Sequence, residues 1–358
     1  KDGNQCSASV IPVCDIVDGS SLNAGACTCG TSECDATKGL FCLSSSSQCS
    51  QEIWCNIPTT GDHTLQRSTL CTMTSSVFVK ADTTLTVSSV DGSGEMAIIT
   101  RRSTCLVWVG VERCRFFNVE GDLTLIDVIL EEGKGDYGGG FLVQGSATAD
   151  ALVHLVGTIV RLCEATINGG AFYLYGNGGS AKLVLEDSML ESNKAERSGG
   201  AVMAISGGKV QVAEGTTSYL NKNVATTKDG GGIYMQSGSS LIVSGVGTKL
   251  VVDGNTAQQS GGGVLAASAA TVTLSSGAHM DVINNKALTG QGGGFYLQNE
   301  GTRLDVHGKG TQLNVFGNQA KINGGGLALR SGPVVRITAS SMFQGNTASE
   351  GHGGGVAY

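Results

Sequence analysis

The sequence predicts an all-β fold, a right-handed parallel β-helix with three short strands per coil of about 31 residues, preceded by a disulfide-rich module. Three observations carry this. A triplet of small residues followed by an apolar residue recurs eight times, opening at Gly138, Gly169, Gly199, Gly230, Gly261, Gly292, Gly324 and Gly353. The intervals are 31, 30, 31, 31, 31, 32 and 29 residues, a period that marks stacked repeats in which each unit buries its apolar face only against its neighbours. Within a period the apolar segments are short, β-branched and of period two, with Gly, Ser, Asp and Asn between them, which leaves no room for a helix.

The first strand follows the triplet. Its inward column reads Phe141, Phe172, Val202, Ile233, Val264, Phe295, Leu327 and Val356. A middle strand repeats the pattern in pairs such as Leu183 and Leu185, Leu241 and Val243, and Leu304 and Val306. The third strand places an apolar residue three positions before an Asn, giving the column Asn193, Asn223, Asn255, Asn285, Asn318 and Asn346. Stacked coils lie about 4.8 Å apart, so such a column can pass side-chain amide hydrogen bonds from coil to coil. Asn also tolerates the left-handed backbone of a tight corner, and the Gly triplets suit corners where a Cβ would clash. Residues that recur in every unit read as structural, not as ligand sites.

The paired signature, with Gly169-Gly-Ala171-Phe, Gly199-Gly-Ala201-Val and Phe343-Gln-Gly-Asn346 as its best examples, resembles the repeats of chlamydial polymorphic outer-membrane proteins. It is similar also to the related pectin-lyase-like surface proteins of bacteria and eukaryotic microbes, and covers about residues 60–358. The stretches from Phe78 to Gly94 and from Phe117 to Val128 resemble the first coils of such proteins. The resemblance implies an extracellular, surface-attached protein. It is specific for fold and poor for function, because this architecture carries adhesins, spacers and polysaccharide-cleaving enzymes.

The 55 Gly, 3 Pro, 40% apolar and 15% charged residues suit a tightly turned solenoid with a core. A net charge of −7 without basic clusters disfavours nucleic acid and anionic membranes as partners. No apolar run approaches the ~20 residues of a membrane span, and no signal peptide is visible, so Lys1 reads as a processed terminus. Nine of the 12 cysteines stand at or before residue 71: Cys6, Cys14, Cys27, Cys29, Cys34, Cys42, Cys49, Cys55 and Cys71. Too small for a sizeable core, this block reads as disulfide-held and secreted. A cysteine-only zinc site competes, but two clear C-x₂-C pairs are missing. The block resembles short Cys-rich modules of secreted protist proteins. Cys105 with Cys114 and Cys55 with Cys71 are candidate bridges, while Cys163 takes the Asn position of its coil with no evident partner. The expected organisation is a Cys-rich module over 1–56, a cap with irregular coils over 57–137, and regular repeats over 138–358. Because Tyr358 falls midway through a first strand, the chain is expected to continue or to borrow a strand from a neighbour.

Two surfaces are candidate sites. Arg303, Asp305 and His307 alternate outward on a middle strand with Arg336 one coil above, a polysaccharide-cleaving cluster at its boldest and a solvated polar face at its plainest. The outward third-strand positions pair no carboxylates, and Gly351-His352-Gly353, a tripeptide like that of pectin hydrolases, falls in the repeat corner. The second surface is a stripe between the two inward columns of the first strand: Leu142, Tyr173, Met203, Tyr234, Leu265 and Tyr296, then Ala328 and Ala357. If exposed, it is an interaction face suited to protein or sugar. No cofactor or metal is expected, and the calcium-binding nonapeptide is absent. No Asn-x-Ser/Thr sequon occurs. The leading expectation is a non-catalytic extracellular structural or adhesive rod whose partners are surface proteins, glycans or copies of itself. A carbohydrate-active enzyme, a polysaccharide lyase or hydrolase, or a carbohydrate-binding module using the tyrosines of the stripe is the alternative.

Overall fold

The computed structural model describes residues 114–358 continuously. Before that it describes residues 13–15, 24, 26–29, 31–34, 41–43, 48–50, 53–55, 57–65, 70–73, 75–89, 96–101, 107–108 and 111–112. The chain is a parallel β-solenoid whose coils stack into sheets of eleven, ten, ten and eight strands. Among the described residues there is no helix, and so none long and apolar enough to cross a membrane.

The coil that opens at Gly230 shows the plan. Its first strand is Ile233–Met235, its second Ser240–Ser244 and its third Lys249–Asp253. A fourth strand, Thr256–Ala257, follows Asn255. The three-strand expectation is therefore corrected to four in the regular coils. From Lys194 on the extra strand is two residues long, below what periodicity can detect, and its signal is an Asn-x-Ala triplet: Ala195, Ala225, Ala257, Ala287 and Ala320 are all buried. Each strand pairs in parallel with its counterpart one coil on, as Ile233 with Val264, Leu241 with Val272, Val252 with Val282 and Ala257 with Ala287.

The inward columns form one continuous core from Ile57 to Leu327. Phe117, Phe141 and Phe172 stack in it with ring centroids 5.5 and 4.2 Å apart. The solenoid begins earlier than expected: Ile53–Trp54 already pairs with Cys71–Thr72 in the third sheet, inside the segment assigned to the Cys-rich module. The Cys55–Cys71 bridge is present, closing 16 residues of chain across this first coil, a constraint of about 3 kcal/mol. Cys14 is bridged to Cys27. Cys29, Cys34 and Cys114 are disulfide-bonded as well, so six thiols of the block, Cys14, Cys27, Cys29, Cys34, Cys55 and Cys71, are removed from any zinc site. Cys42 and Cys49 are register partners in the antiparallel strands Phe41–Leu43 and Gln48–Ser50. Cys6 and Cys105 lie outside the described residues.

At the N-terminal coils a buried guanidinium replaces the missing regularity. Arg101 donates to the carbonyls of Met73, Cys114 and Arg115 and to Ser76 Oγ, and lies 5.6 Å over the Phe116 ring. Burial pulls its pKa down to about 10, because a charge loses hydration there that neutral acceptors only partly replace.

Candidate functional site

The Asn column is a hydrogen-bonded ladder along the solenoid axis. In each rung the backbone N–H and the side-chain Nδ2 of one Asn donate to the Oδ1 of the next, at 2.9–3.0 Å for Asn223 and Asn255. Asn255 Nδ2 also donates to Leu220 O at 2.8 Å. The pattern repeats from Asn193 to Asn346, and Asn193, Asn223, Asn255, Asn285 and Asn318 are fully buried. The left-handed residue is not the Asn but the one before it: Ser192, Lys222, Gly254, Asn284, Gly317 and Gly345 have φ between 54° and 65°. That corner residue turns the chain so that the next side chain enters the core, where the amide has backbone partners on the preceding coil and a side-chain partner on the following one.

Cys163 ends the ladder. Its N–H donates to Asn193 Oδ1 at 3.0 Å, and its sulfur receives the Gly133 N–H in place of an amide oxygen. It is a free, buried thiol, and burial pushes its pKa up to about 12 from an ordinary value of 9.0, with Glu131, Glu132 and Glu164 adding to the shift. Since the thiolate is the nucleophile, Cys163 is expected to ignore an aromatic disulfide reagent at pH 8 until the chain unfolds, and the unfolded chain then to consume one equivalent more than a Cys163→Ser variant does. Rapid reaction in the folded protein would contradict this burial. Because the folded value is the raised one, this group's contribution to stability is complete below pH 9 and is lost as pH climbs towards 12.

The first-strand stripe is not the exposed surface expected. Leu265, Tyr296 and Met203 are only 2, 4 and 5% exposed and Ala328 is fully buried, while Leu142, Tyr173 and Tyr234 are half-buried. Leu265, Tyr296 and Ala328 form a second apolar cluster with Ala267, against which Tyr234 packs. The cover comes from adjoining coils, where Leu265, Tyr296 and Ala328 are register partners that pack on one another. The first glycine of each triplet, at φ 62–70°, brings the chain close to the outward residue; a Cβ on Gly292 would sit 2.8 Å from that of Tyr296. The open part of this face lies at its N-terminal end. Tyr137, 37% exposed, packs on Tyr173 with ring centroids 4.8 Å apart. Tyr175, also half-buried, donates to Asn177 Oδ1 at 3.0 Å. Burial together with Tyr137 and Tyr175 pushes the Tyr173 phenol up to about 12. Tyr234 donates to Gln236 and is pushed up by burial and Asp229.

The polar cluster is brought onto one face, but loosely. Asp305 and Arg336 are direct partners in adjacent strands. Asp305 is half-buried, and Arg303, His307 and Arg336 are exposed. Among the described residues none of the four joins an ion pair. His352 is likewise exposed, its N–H held by Asn323 Oδ1 at the repeat corner. A cleft of about 690 Å³ between the first and second sheets collects Asp82, Asp122 and Asp150 with Thr83, Ser146 and Thr148. Asp150 is already engaged there by the Ser180 N–H at 2.7 Å. No family model, curated protein or solved structure matches the chain.

Proposed function

We propose that this chain is a secreted, non-catalytic structural or adhesive protein, a stiff β-helical rod of the pectin-lyase-like kind displayed on a cell surface or built into an extracellular filament. The observation that supports the reading is that hydrogen bonding in all four sheets, and in the Asn ladder, runs along one axis from coil to coil. Ten strands in the first sheet give a rod of about 43 Å at ~4.8 Å per coil. Disulfides near the N-terminus fit an oxidising compartment.

A second reading, carbohydrate binding, is favoured by the open tyrosines Tyr137, Tyr173 and Tyr175 beside Gln144 and Asn177, an arrangement of ring faces and amides suited to sugars. The enzyme alternative rests on Arg303, Asp305, His307 and Arg336. One set of assays separates the three. Antibody is expected to label intact cells, and the purified protein to leave acidic polysaccharides uncut. Labelling only after permeabilisation would sink the surface assignment. Product release abolished by Asp305→Asn would replace the rod with an enzyme. Glycan-array binding abolished by Tyr137→Ala and Tyr175→Ala would replace it with a sugar-binding module.

A further inference from the structure

The third sheet carries an outer feature that the repeat does not require. Between its inward residues, the outward position holds Ile98, Ile129, Ile159, Met189, Tyr219 and Val251 on six successive coils. All six are direct register partners and all are half-buried. At ~4.8 Å per coil the ridge is about 24 Å long. On the N-terminal side Leu70 continues the column, and on the C-terminal side it turns polar, with Asp281 and Asn314 next.

Charge runs beside this ridge in a fixed order. Two residues further along the strands stand Glu131, Arg161 and Glu191, with Thr100 before them and Asn221 and Asp253 after, and Lys222 occupies the corner beside Asn221. Within the chain Arg161 pairs with Glu131 at 2.7 Å and Lys222 with Glu191 at 3.2 Å. The row therefore reads negative, positive, negative, positive, one charge per coil. Reversed, it reads positive, negative, positive, negative. A row of this kind is complementary to its own antiparallel copy.

We propose that the ridge docks a second copy of this chain, with solenoid axes antiparallel and a two-fold axis running along the strands between the Ile159 and Met189 rows. Ile159 of each copy then meets Met189 of the other, Ile129 meets Tyr219, and Ile98 meets Val251. The same axis sets Arg161 against Glu191 and Glu131 against Lys222. The opposite flank agrees, because Asp127 falls against Thr217 and Asp187 against Gly157, so no like charges meet there. A parallel pairing of equivalent coils would instead bring Asp127 against Glu131 and Asp187 against Glu191. The interface is isologous, as a closed two-fold contact must be. A ridge of that length and about 17 Å of strand width buries roughly 400 Å² per copy, in the range of weak, transient contacts. The pairing is therefore a reversible one, tuned by concentration and salt.

Sedimentation equilibrium on the full chain from roughly 1 to 100 µM tests it. The wild-type mass should rise towards twice that of the monomer. Met189→Glu and Glu191→Arg should each weaken association by at least about 30-fold, with unchanged melting to show that the coils remain folded. The double variant Arg161→Glu/Glu191→Arg sets like charges side by side within one chain, Glu131 with the new acid and Lys222 with the new base. It restores opposite charges only across the two-fold, so it should associate again. A constant monomer mass, a Glu191→Arg variant that associates like wild type, or a double variant that stays monomeric overturns the proposal.

Discussion

Asn255→Ala is expected to lower the stability of the regular coils by about 4 kcal/mol. The Asn255 side chain has no solvent access and takes part in four hydrogen bonds: its oxygen receives the Asn223 N–H and Nδ2, and its amide donates to Leu220 O and Asn285 Oδ1. Removing it strands groups on both adjoining coils, each at about 1–3 kcal/mol, and leaves a cavity besides. Asn255→Asp should be no better at pH 7, because a carboxylate cannot donate to Leu220 O and would carry an uncompensated charge into the core. Cys163→Asn should shift stability the other way, by about 1 kcal/mol, since the new amide can donate towards Leu130 O one coil back as the other rungs do. Denaturant titration of the three variants measures this. An Asn255→Ala loss under about 1 kcal/mol would mean that the ladder is incidental to the stacking.

Gly200→Ala should cost at least about 3 kcal/mol, more than ordinary overpacking. Gly200 is the middle residue of its triplet, and a Cβ there would lie 2.0 Å from Gly231 O and 2.5 Å from Val224 N. Both are backbone atoms, so relief requires neighbouring coils to move apart and breaks the parallel ladders on either side. Gly215→Ala is the control: it meets nothing within 4 Å and bears only the cost of its positive φ. Thermal melts should show Gly200→Ala well below Gly215→Ala. Equal midpoints would show that the triplet tolerates a side chain.

The triplets and inward columns were legible because a stacked fold forces the same solution on every coil. Phe172, Val202 and Ile233 occupy one environment, so the pattern repeats where the environment repeats. The same logic exposed Asn255 and its relatives, but not their backbone. The residues that turn the corner, Ser192, Lys222 and Asn284 among them, differ from coil to coil and share only a conformation. The fourth strand escaped for want of length, since Thr256–Ala257 is too short to show a period.

Surfaces were read less well. The first-strand stripe was placed on the outer face, where Tyr296 does point, but whether an outward residue meets water depends on what folds over it. Leu265 and Ala328 on the adjoining coils do so for Tyr296, and a linear pattern of apolar and polar residues carries no record of that. The polar set around Asp305 shows the converse: the spacing brings Asp305 and Arg336 to neighbouring strands but leaves their side chains apart.

By itself, the sequence determined the solenoid, its period, the inward columns and the Asn ladder, because each follows from burying apolar groups and satisfying amides at a fixed repeat. Only the tertiary structure decided which outward faces are open, that Cys163 takes the place of an amide at the end of the ladder, and that Ile98 to Val251 line up as a ridge beside alternating charges. Those properties depend on register between coils, which exists only once about 30 intervening residues have closed each turn and set one coil on the next.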